Sequence, residues 1–296
     1  MKNTESNFGV GDILATNAFF YYKRLENAWC FYRDILGFQT VADYGFAKIM
    51  RVAQTSFVTL VDSDSGMHNA QEPKSVTLAM VTEQVTAWYD YLVASGIPMH
   101  RKLEIRAGSP HDGFVTIDPE GYFLEFECFN SHQENISLLP LLSSLDTTYA
   151  AHGNRPQELG VKATVLWLYY HDLSSAQQFH EGLLGVEPLV DQGWAKVYPI
   201  SSSGFIGFVD GEHGLHKPTK QKCVTVSFIT DNVDSWFQRA AGWNDFDLLT
   251  PKITHESERV RLFVSTDPEG YYFEWDTFLI HNDNADLLRQ LRKCRI

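Results

Sequence analysis

The sequence predicts an α+β protein made of two tandem domains, and three observations support this fold class. The chain has 296 residues, a common length for two domains of about 150 residues each. A turn-and-strand motif begins at Asp118 and returns at Asp267, an offset of 149 residues. Within each half, the hydrophobic pattern gives the order strand, helix and three strands, and then repeats that order. Together these observations indicate a duplicated domain with two βαβββ units in each copy.

The repeated motif reads Asp-Pro-Glu-Gly-Tyr followed by an alternating aromatic and acidic strand. Proline after aspartate favours a tight turn, and glycine supplies the unusual backbone dihedrals that such a turn requires. Side chains alternate across a strand, so Glu125 shares a face with Phe123 and Phe129, and Glu274 shares one with Phe278. A carboxylate within an aromatic strand is costly to bury without a partner, which makes both glutamates candidates for a functional role.

Other segments repeat at nearly the same offset and extend the duplication through much of each half. The matching pairs are Asp43–Lys48 with Asp191–Lys196, Phe57–Asp62 with Phe205–Asp210, Gly66–His68 with Gly214–His216, and Trp88 with Trp236. A period this long excludes a solenoid.

The elements of the first half follow from apolar spacing and from glycine. Apolar residues at helical spacing predict helices over 25–36 and 85–94, which end before Gly37 and Gly96. Runs of apolar and aromatic residues bounded by polar or glycine-containing segments predict strands. These strands are expected at 13–22, 39–43, 46–52, 56–62 and 75–81, with three more running to residue 129. The second half repeats the scheme, with a strand at 161–170 and a helix at 173–184.

Composition shifts divide the chain into four parts. We predict a first domain at 1–135, a linker at 136–160 with a short helix around 138–145, a second domain at 161–280 and a C-terminal helix within 281–296. The linker is polar and broken by proline and glycine, whereas the C-terminal segment places Leu287, Leu288 and Leu291 on one helical face.

Composition excludes several classes of function. Hydrophobic residues make up 44% and charged residues 21%, which is ordinary for a soluble globular protein. The net charge of −13, without a cluster of lysine and arginine, argues against nucleic-acid binding. Four widely spaced cysteines predict free thiols, and the N-terminus lacks the apolar core of a signal peptide. No apolar run is long enough to cross a membrane. We therefore expect a cytoplasmic protein with no membrane partner.

The order of elements, the helix end Phe31–Phe38 and the Asp-Pro-Glu-Gly-Tyr turn resemble the vicinal oxygen chelate superfamily. That superfamily includes glyoxalase I, bleomycin-resistance proteins and extradiol dioxygenases. The resemblance implies that each half forms a cupped mixed sheet around a cavity. It covers nearly the whole chain outside the linker and the termini.

The resemblance also implies where a metal would be held. Family ligands come from the first strands of the two units and from the last strand of the second, with some from the fourth strand of the first unit. Carried over by position, these sites fall on Asn17, Ser75, Thr59 and Glu125 in the first half and on Val165, Cys223, Gly207 and Glu274 in the second. The glutamate is present in both halves, but the histidines are missing. An open catalytic metal site needs about three protein ligands, so we predict no cofactor, with a divalent metal as the alternative.

We predict a ligand site in the first domain with Glu125 as its catalytic base or hydrogen-bond acceptor. The expected ligand-binding residues are Asn17, Phe19, Tyr21, Phe57, Thr59, Ser75 and His111, and the second-domain equivalents are Glu274 and Cys223. The alternative interpretation of Glu125 is a structural ion pair, for example with Lys48. Cys223 is either a nucleophile or, as is usual for a buried cysteine, a small apolar packing group.

Two further polar pairs repeat, namely Asp62 with His68 and Asp210 with His216. We interpret both pairs as caps of the loop that follows the fourth strand.

The resulting functional hypothesis is a glyoxalase- or bleomycin-resistance-type protein that binds a small apolar or aromatic ligand in the first-domain cavity. If the protein is an enzyme, the hypothesis is a metal-independent lyase or isomerase. One alternative is a metal-dependent enzyme of extradiol-dioxygenase or glyoxalase type with displaced ligands. Another is a sequestering protein without turnover. We expect a monomer or a homodimer.

Overall fold

The structure of the protein, a computed structural model, describes residues 13–294. The N-terminus, in which no signal peptide is predicted, lies outside these residues. The first half contains β1 Ile13–Tyr22, α1 Leu25–Cys30, β2 Gln39–Asp43, β3 Ala47–Ala53, β4 Ser56–Asp62, β5 Val76–Val81, α2 Val85–Ala94, β6 Met99–Glu104, β7 His111–Ile117 and β8 Phe123–Phe129. A π-helical turn, Phe31–Ile35, continues α1.

The remaining elements follow in the second half and in the connection to it. They are α3 Leu138–Ser144, β9 Thr148–Tyr149, β10 Gly160–Val161, β11 Ala163–Tyr170, α4 Leu173–Leu184, β12 Val190–Asp191, β13 Ala195–Pro199, β14 Gly204–Asp210, β15 Val224–Thr230, α5 Val233–Ala241, β16 Asp247–Leu248, β17 Thr254–Glu256, β18 Val260–Thr266, β19 Tyr272–Phe278 and α6 Ala285–Lys293. None of the helices in the described range is long and apolar enough to span a bilayer.

The predicted α+β class with four βαβββ units is confirmed. The units are 13–62, 76–129, 163–210 and 224–278, and we number them first to fourth in chain order. The glycines expected to end helices have the left-handed conformation that favours glycine, with φ of 68° at Gly37, 72° at Gly96 and 69° at Gly185.

The units pair across the two halves of the chain, which corrects the expectation that each half forms its own cupped sheet. Sheet I joins the first and fourth units in the order β16-β18-β19-β15-β1-β4-β3-β2, with β17 added on β18. Sheet II joins the third and second units in the order β12-β13-β14-β11-β5-β8-β7-β6. A small two-stranded sheet is formed by β9 and β10.

The first strands of the units form the centre of each sheet. In sheet I, β1 runs antiparallel to β15 and places Asn17 opposite Ser227. In sheet II, β11 runs antiparallel to β5 and places Val165 opposite Ala79. All four first strands are buried on both faces, and the edge of each presents the same backbone N–H and C=O groups. Their local patterns therefore do not distinguish pairing within a half from pairing between halves.

A helix covers part of the concave face of each sheet. Helix α6 packs Leu287 and Leu291 against a cluster that includes Phe57 of sheet I. Helix α3 packs Leu138 and Leu142 against the corresponding cluster in sheet II. Because each helix fills only one end of its cup, the other end remains as a cavity.

The repeated turn connects each unit to the opposite sheet. Asp118 Oδ1 accepts hydrogen bonds from the backbone N–H groups of Glu120, Gly121 and Tyr122 at 2.8–2.9 Å. The Tyr122 hydroxyl then donates to the carbonyl of Cys223 in the neighbouring sheet at 2.6 Å. In the second copy, the Tyr271 hydroxyl donates to the carbonyl of Ser75 at 2.9 Å. The motif therefore has a structural role in joining the two sheets.

Candidate ligand cavities

Two cavities lie on the concave faces of the sheets, and each is formed by one unit from each half. Cavity I, on sheet I, has a volume of ≈ 1040 Å³, which includes space open to solvent. Cavity II, on sheet II, encloses ≈ 700 Å³. The predicted cavity within the first domain is thus replaced by two cavities between the halves.

Cavity II has a floor of two carboxyl groups and walls of aromatic rings. Glu125 and Glu127 alternate with apolar residues on β8 and point to the same face of the sheet. Its lining comprises Arg101, His111, Glu125, Glu127, Phe129, Trp167, Tyr169, Val190, Gln192, Trp194, Ala195, Val197, Val209, His213, Gly214 and Leu215. Neither glutamate forms a salt bridge within residues 13–294.

The electrostatics of cavity II hold protons on these carboxyl groups. Burial raises the pKa of Glu125 to about 7, and the nearby Arg101 opposes that shift. Burial, together with repulsion from Glu125, raises the pKa of Glu127 well above its usual value. Glu127 is 2% exposed, and its Oε1 atom has no hydrogen-bond partner among the described residues. Burial also lowers the pKa of His111. Burial and the neighbouring Glu125 therefore favour the protonated form of Glu127, whereas the pKa of Glu125 lies near neutral pH.

Cavity I has a different acidic pair, which is linked by hydrogen bonds. Glu274 and Asp276 lie on one face of β19, and their carboxyl groups are hydrogen-bonded to each other. Ser227 Oγ donates to Asp276 Oδ2 at 2.6 Å. Burial raises the pKa of Glu274 well above its usual value, with a further contribution from Asp276, whereas burial raises the pKa of Asp276 only to about 6. The pair therefore shares a proton, with the remaining charge mainly on Asp276.

The walls of cavity I are apolar and aromatic. Its lining comprises Phe19, Tyr21, Tyr44, Phe46, Ala47, Ile49, Thr59, Val61, Ser65, Gly66, Met67, Thr250, Thr254, Glu256, Val260, Leu262, Val264, Glu274, Asp276 and Phe278. A third carboxyl group, that of Glu256, enters from β17, and burial raises its pKa. No lysine, arginine or histidine occurs among these described lining residues.

The structure separates the residues predicted to form one site. Phe19, Tyr21 and Thr59 line cavity I, together with Glu274. Asn17 lies beside them on β1 and accepts a hydrogen bond from Thr59 Oγ1 at 3.0 Å. Glu125 and His111 line cavity II instead. The expectation that Glu125 faces Asn17 and Thr59 is therefore wrong, because β1 and β8 belong to different sheets.

Asn17 and three further predicted residues line neither cavity. Phe57 is buried beneath α6. Ser75 precedes β5, and its Oγ shares a hydrogen bond of 2.8 Å with Thr219 Oγ1. Cys223 precedes β15, and its Sγ lies 3.2 Å from the hydroxyl oxygen of Tyr122 and donates to the carbonyl of Asn69 at 3.3 Å. Burial raises the pKa of the Cys223 thiol, in agreement with the interpretation of this residue as a packing group.

The aspartates after the fourth strands cap their loops as predicted. Asp62 Oδ1 accepts from the backbone N–H of Asp64 at 3.0 Å, and Asp210 Oδ1 accepts from that of Glu212 at 2.9 Å.

His68 and His216, the histidines of these two pairs, pack against aromatic rings. His68 is buried against the rings of Tyr21 and Tyr272, and its Nδ1 lies 2.8 Å from Glu72 Oε2. His216 packs in the same way against Tyr169 and Phe123. Both histidines are therefore aromatic packing partners.

The alternative interpretation of Glu125 as a partner of Lys48 is not supported. Lys48 Nζ lies 2.9 Å from Asp43 Oδ2 and 3.4 Å from Glu26 Oε1, and Glu125 is not among its partners.

Sequence reasoning missed Ser227, Arg101 and Trp167. Ser227 faces Asn17 across the central strand pair, whereas the family position was assigned four residues earlier, at Cys223. A serine within the apolar run Val224–Ile229 is a signal that could have indicated it. Arg101 and Trp167 carry no sequence signal of this kind, because an arginine on an edge strand and a tryptophan in a core strand are both common.

The described residues do not fit the metal that the resemblance implies. In sheet I, the family positions bring together Asn17, Thr59, Ser227 and Glu274. In sheet II they bring together Val165, Gly207, Ala79 and Glu125. Within residues 13–294, no group of three or more His, Cys, Asp or Glu side chains could hold a metal ion. The donors at these positions are thus one carboxyl group with hydroxyl, amide or apolar neighbours, which does not match a catalytic transition-metal site.

Comparisons with known proteins agree with this fold. Residues 15–126 match the family model of the Glyoxalase/Bleomycin resistance protein/Dioxygenase superfamily. Glyoxalase I from Zea mays has a similar structure, with 14% identity and a TM-score of 0.62 over 95% of each chain. A putative dioxygenase from Bacillus subtilis subsp. subtilis str. 168 has 14% identity and a TM-score of 0.63, over 96% of this chain and 90% of its own. No curated protein sequence matches the chain. The predicted resemblance is confirmed, and the chain has the fold of this superfamily.

Proposed function

We propose that the protein binds a small, partly aromatic carbonyl compound in cavity II and transfers a proton next to its carbonyl group without a metal. The observation that carries this proposal is the position of Glu125. Its carboxyl group lies on the floor of an aromatic cavity and has no salt-bridge partner among the described residues. A carboxylate in such a place is available to a ligand.

Glu125 is suited to act as the general base. A base is most effective when its pKa lies near the working pH, and burial raises the pKa of Glu125 to about 7. The Glu125 carboxylate takes a proton from the carbon beside the carbonyl and becomes a carboxylic acid. It then returns that proton to the same carbon or to a neighbouring one, which completes an isomerisation or an exchange without a net change in protonation.

The cavity also offers donors for the oxygen that gains charge. The indole Nε1–H of Trp167 has no hydrogen-bond partner in the described structure, although Trp167 lines cavity II. Arg101 lies at the exposed edge strand β6, close enough to lower the pKa of Glu125. A donor placed where negative charge develops stabilises an enolate. The protonated Glu127 beside the base reduces repulsion against that charge.

We also propose that the protein works in the cytoplasm. The four cysteines, all within the described residues, are free thiols, which is the usual state in a reducing compartment.

The proposal is tested by deuterium exchange next to the carbonyl of two aryl ketones, propiophenone and 4-hydroxyacetophenone. Proton NMR in D₂O at pH 7.5 would follow the loss of the α-proton signal with the unmodified protein, with Glu125→Gln and with Glu274→Gln. We expect Glu125→Gln to lower the rate at least ~100-fold, the usual contribution of a positioned base. The cavity I variant Glu274→Gln is the matched control and should stay within about twofold of the unmodified protein.

Three outcomes contradict the proposal. A loss of exchange with Glu274→Gln but not with Glu125→Gln places the base in cavity I. A loss of exchange after treatment with a chelator favours the metal-dependent alternative. Binding of the ketones with equal affinity by the unmodified protein and Glu125→Gln, without exchange, favours the sequestering alternative.

A further inference from the structure

Cavity I carries a charge pattern that cavity II does not have. The acidic groups in its described lining are Glu256, Glu274 and Asp276, which come from two strands of sheet I. In cavity II, by contrast, Arg101 accompanies the glutamates. Cavity I is thus an aromatic and acidic space of ≈ 1040 Å³ without a counter-charge of its own.

The acidic pair of cavity I is held in place by the surrounding structure. Glu274 is 4% exposed and Asp276 is 1% exposed. The Ser227 hydroxyl and the protonated Glu274 both donate to the Asp276 carboxyl group, which favours its ionised form. A buried carboxylate without a cationic partner is costly, and a bound cation would offset that cost.

A second, independent feature indicates that the floor of this cavity receives a ligand. Asn17 is 2% exposed, and its Nδ2 group has no hydrogen-bond partner in the described structure. Asn17 is not itself a lining residue, but its side chain lies on the same face of β1 as Phe19 and Tyr21 and accepts a hydrogen bond from Thr59. Those three residues line cavity I. Its free N–H groups match an oxygen acceptor on a ligand.

The walls suit the apolar body of such a ligand. Phe19, Tyr21 and Phe46 come from the first unit, and Phe278 comes from the fourth. Aromatic faces attract organic cations as well as apolar groups. Phe46 is 43% exposed at the rim, where it remains accessible to an incoming molecule.

We infer that cavity I is a second binding site, which takes a small organic cation, a protonated amine with an aromatic or apolar body and a hydroxyl or carbonyl oxygen. The ammonium group contacts Glu274 and Asp276, the body packs against the aromatic walls, and the oxygen accepts from Asn17. This site is separate from the one proposed in cavity II and does not depend on it.

The inference is tested by isothermal titration calorimetry at pH 7.5 with four phenyl compounds of similar size. They are 2-phenylethylamine as the cation, 2-phenylethanol as the neutral analogue, phenylacetate as the anion and 2-amino-1-phenylethanol as the cation with an added hydroxyl. We expect the amine to bind at least tenfold more tightly than the alcohol, the anion not to bind, and the amino alcohol to bind most tightly.

Isosteric variants locate the site. Asp276→Asn should weaken amine binding at least tenfold, and Asn17→Ala should remove the added affinity of the amino alcohol without changing that of the amine. Glu158→Gln, which alters an exposed carboxylate away from both cavities, controls for total charge and should leave the affinity unchanged. Thermal melting confirms that each variant is folded.

The inference is overturned if the alcohol binds as tightly as the amine, or if no amine binds. It is also overturned if Glu125→Gln weakens amine binding while Asp276→Asn does not, because the amine would then occupy cavity II. None of these results bears on the exchange reaction expected of Glu125.

Discussion

Cavities I and II occupy equivalent positions in two similar sheets, yet their chemical linings differ. Asn17 and Thr59 of sheet I are replaced in sheet II by Val165 and Gly207. The space left by Gly207 is filled by the ring of Trp167, since a Cβ atom added at this glycine would lie 2.0 Å from that ring. Cavity II is consequently the smaller of the two.

The carboxyl pairs of the two cavities also differ, in the hydrogen bonds that they accept. In cavity I, Ser227 donates a hydrogen bond to Asp276. In cavity II, the residue at the position of Ser227 is Ala79, which has no donor, and Glu127 keeps an unpartnered oxygen. The comparison teaches that the framework of the duplicated units is shared while the polarity of each cavity is set by a few side chains. Substitutions in the framework and in each cavity test this separation.

The largest effect is expected in the shared framework. Asp118 accepts from three backbone N–H groups and from the hydroxyl of Tyr22, and Asp267 accepts from two backbone N–H groups and the hydroxyl of Tyr170. Replacing either aspartate by alanine leaves buried donors without partners and should cost about 4 kcal/mol. Urea unfolding measures this cost, which should agree within about 1 kcal/mol between the two variants. If only one substitution is costly, the two turns are not equivalent.

The second effect is the pH dependence of stability, in which cavity II has a defined contribution. The pKa of Glu125 is about 7 in the folded protein, above its ordinary value near 4.5, so folding favours the protonated form. The resulting stability is fully present below about pH 4.5 and is lost as the pH rises through about 7. Over this range, the unfolding free energy of the unmodified protein should fall by up to ~3 kcal/mol more than that of Glu125→Gln.

Urea unfolding at pH 4.5, 6 and 8 checks this difference, and Glu158→Gln is the matched control at an exposed site. Parallel curves for the unmodified protein and Glu125→Gln would show that Glu125 has an ordinary pKa and would remove the basis for its role as a base near neutral pH.

A third prediction concerns Gly207, whose missing side chain leaves room for the indole ring of Trp167. Gly207→Ala should force the indole ring to move and should cost about 2 kcal/mol through overpacking. Tryptophan fluorescence would shift, and the ketone affinity of cavity II would fall. Because Thr59 already carries a larger side chain at the equivalent position, Thr59→Ala should change neither the fluorescence nor the ketone affinity. Unchanged fluorescence in Gly207→Ala would contradict the packing described here.

The smallest effect is expected from exchanging the side chains at two corresponding positions, Arg101 in sheet II and Thr250 in sheet I, which differ in charge. Arg101 lies beside Val115, and Thr250 lies beside Val264 at the corresponding place in sheet I. Thr250→Arg should weaken amine binding in cavity I about tenfold, or ~1.4 kcal/mol.

The reverse substitution, Arg101→Thr, removes the group that lowers the pKa of Glu125, so the midpoint of the pH–exchange profile should move upward. A downward shift would show that Arg101 does not act on Glu125 through its charge.

Several elements of this fold could be predicted because their causes are local. Helix α2 at Val85–Ala94 and helix α4 at Leu173–Leu184 have the predicted bounds, since apolar spacing and a terminal glycine specify them. The duplication was visible in the repeated turn for the same reason. The carboxyl groups of Glu125 and Glu274 were also identified from alternation along a single strand.

The grouping of these side chains into sites was not predictable from such patterns. Asn17 and Glu125 were assigned to one cavity because they belong to one half of the chain, whereas they lie in different sheets. Ser227 was missed because it meets Asn17 only through pairing between residues 210 positions apart in the sequence.

The sequence alone therefore determined the four units, their helices and strands, and the presence of an acidic side chain on each terminal strand, because these depend on periodicity and turn chemistry over short stretches. Only the tertiary structure decided which first strands pair and, with them, which carboxyl group shares a cavity with Arg101 and which with Phe19 and Thr59. The physical reason is that the first strands of all four units are similarly buried and present the same backbone groups at their edges, so the choice of partner depends on contacts between distant segments.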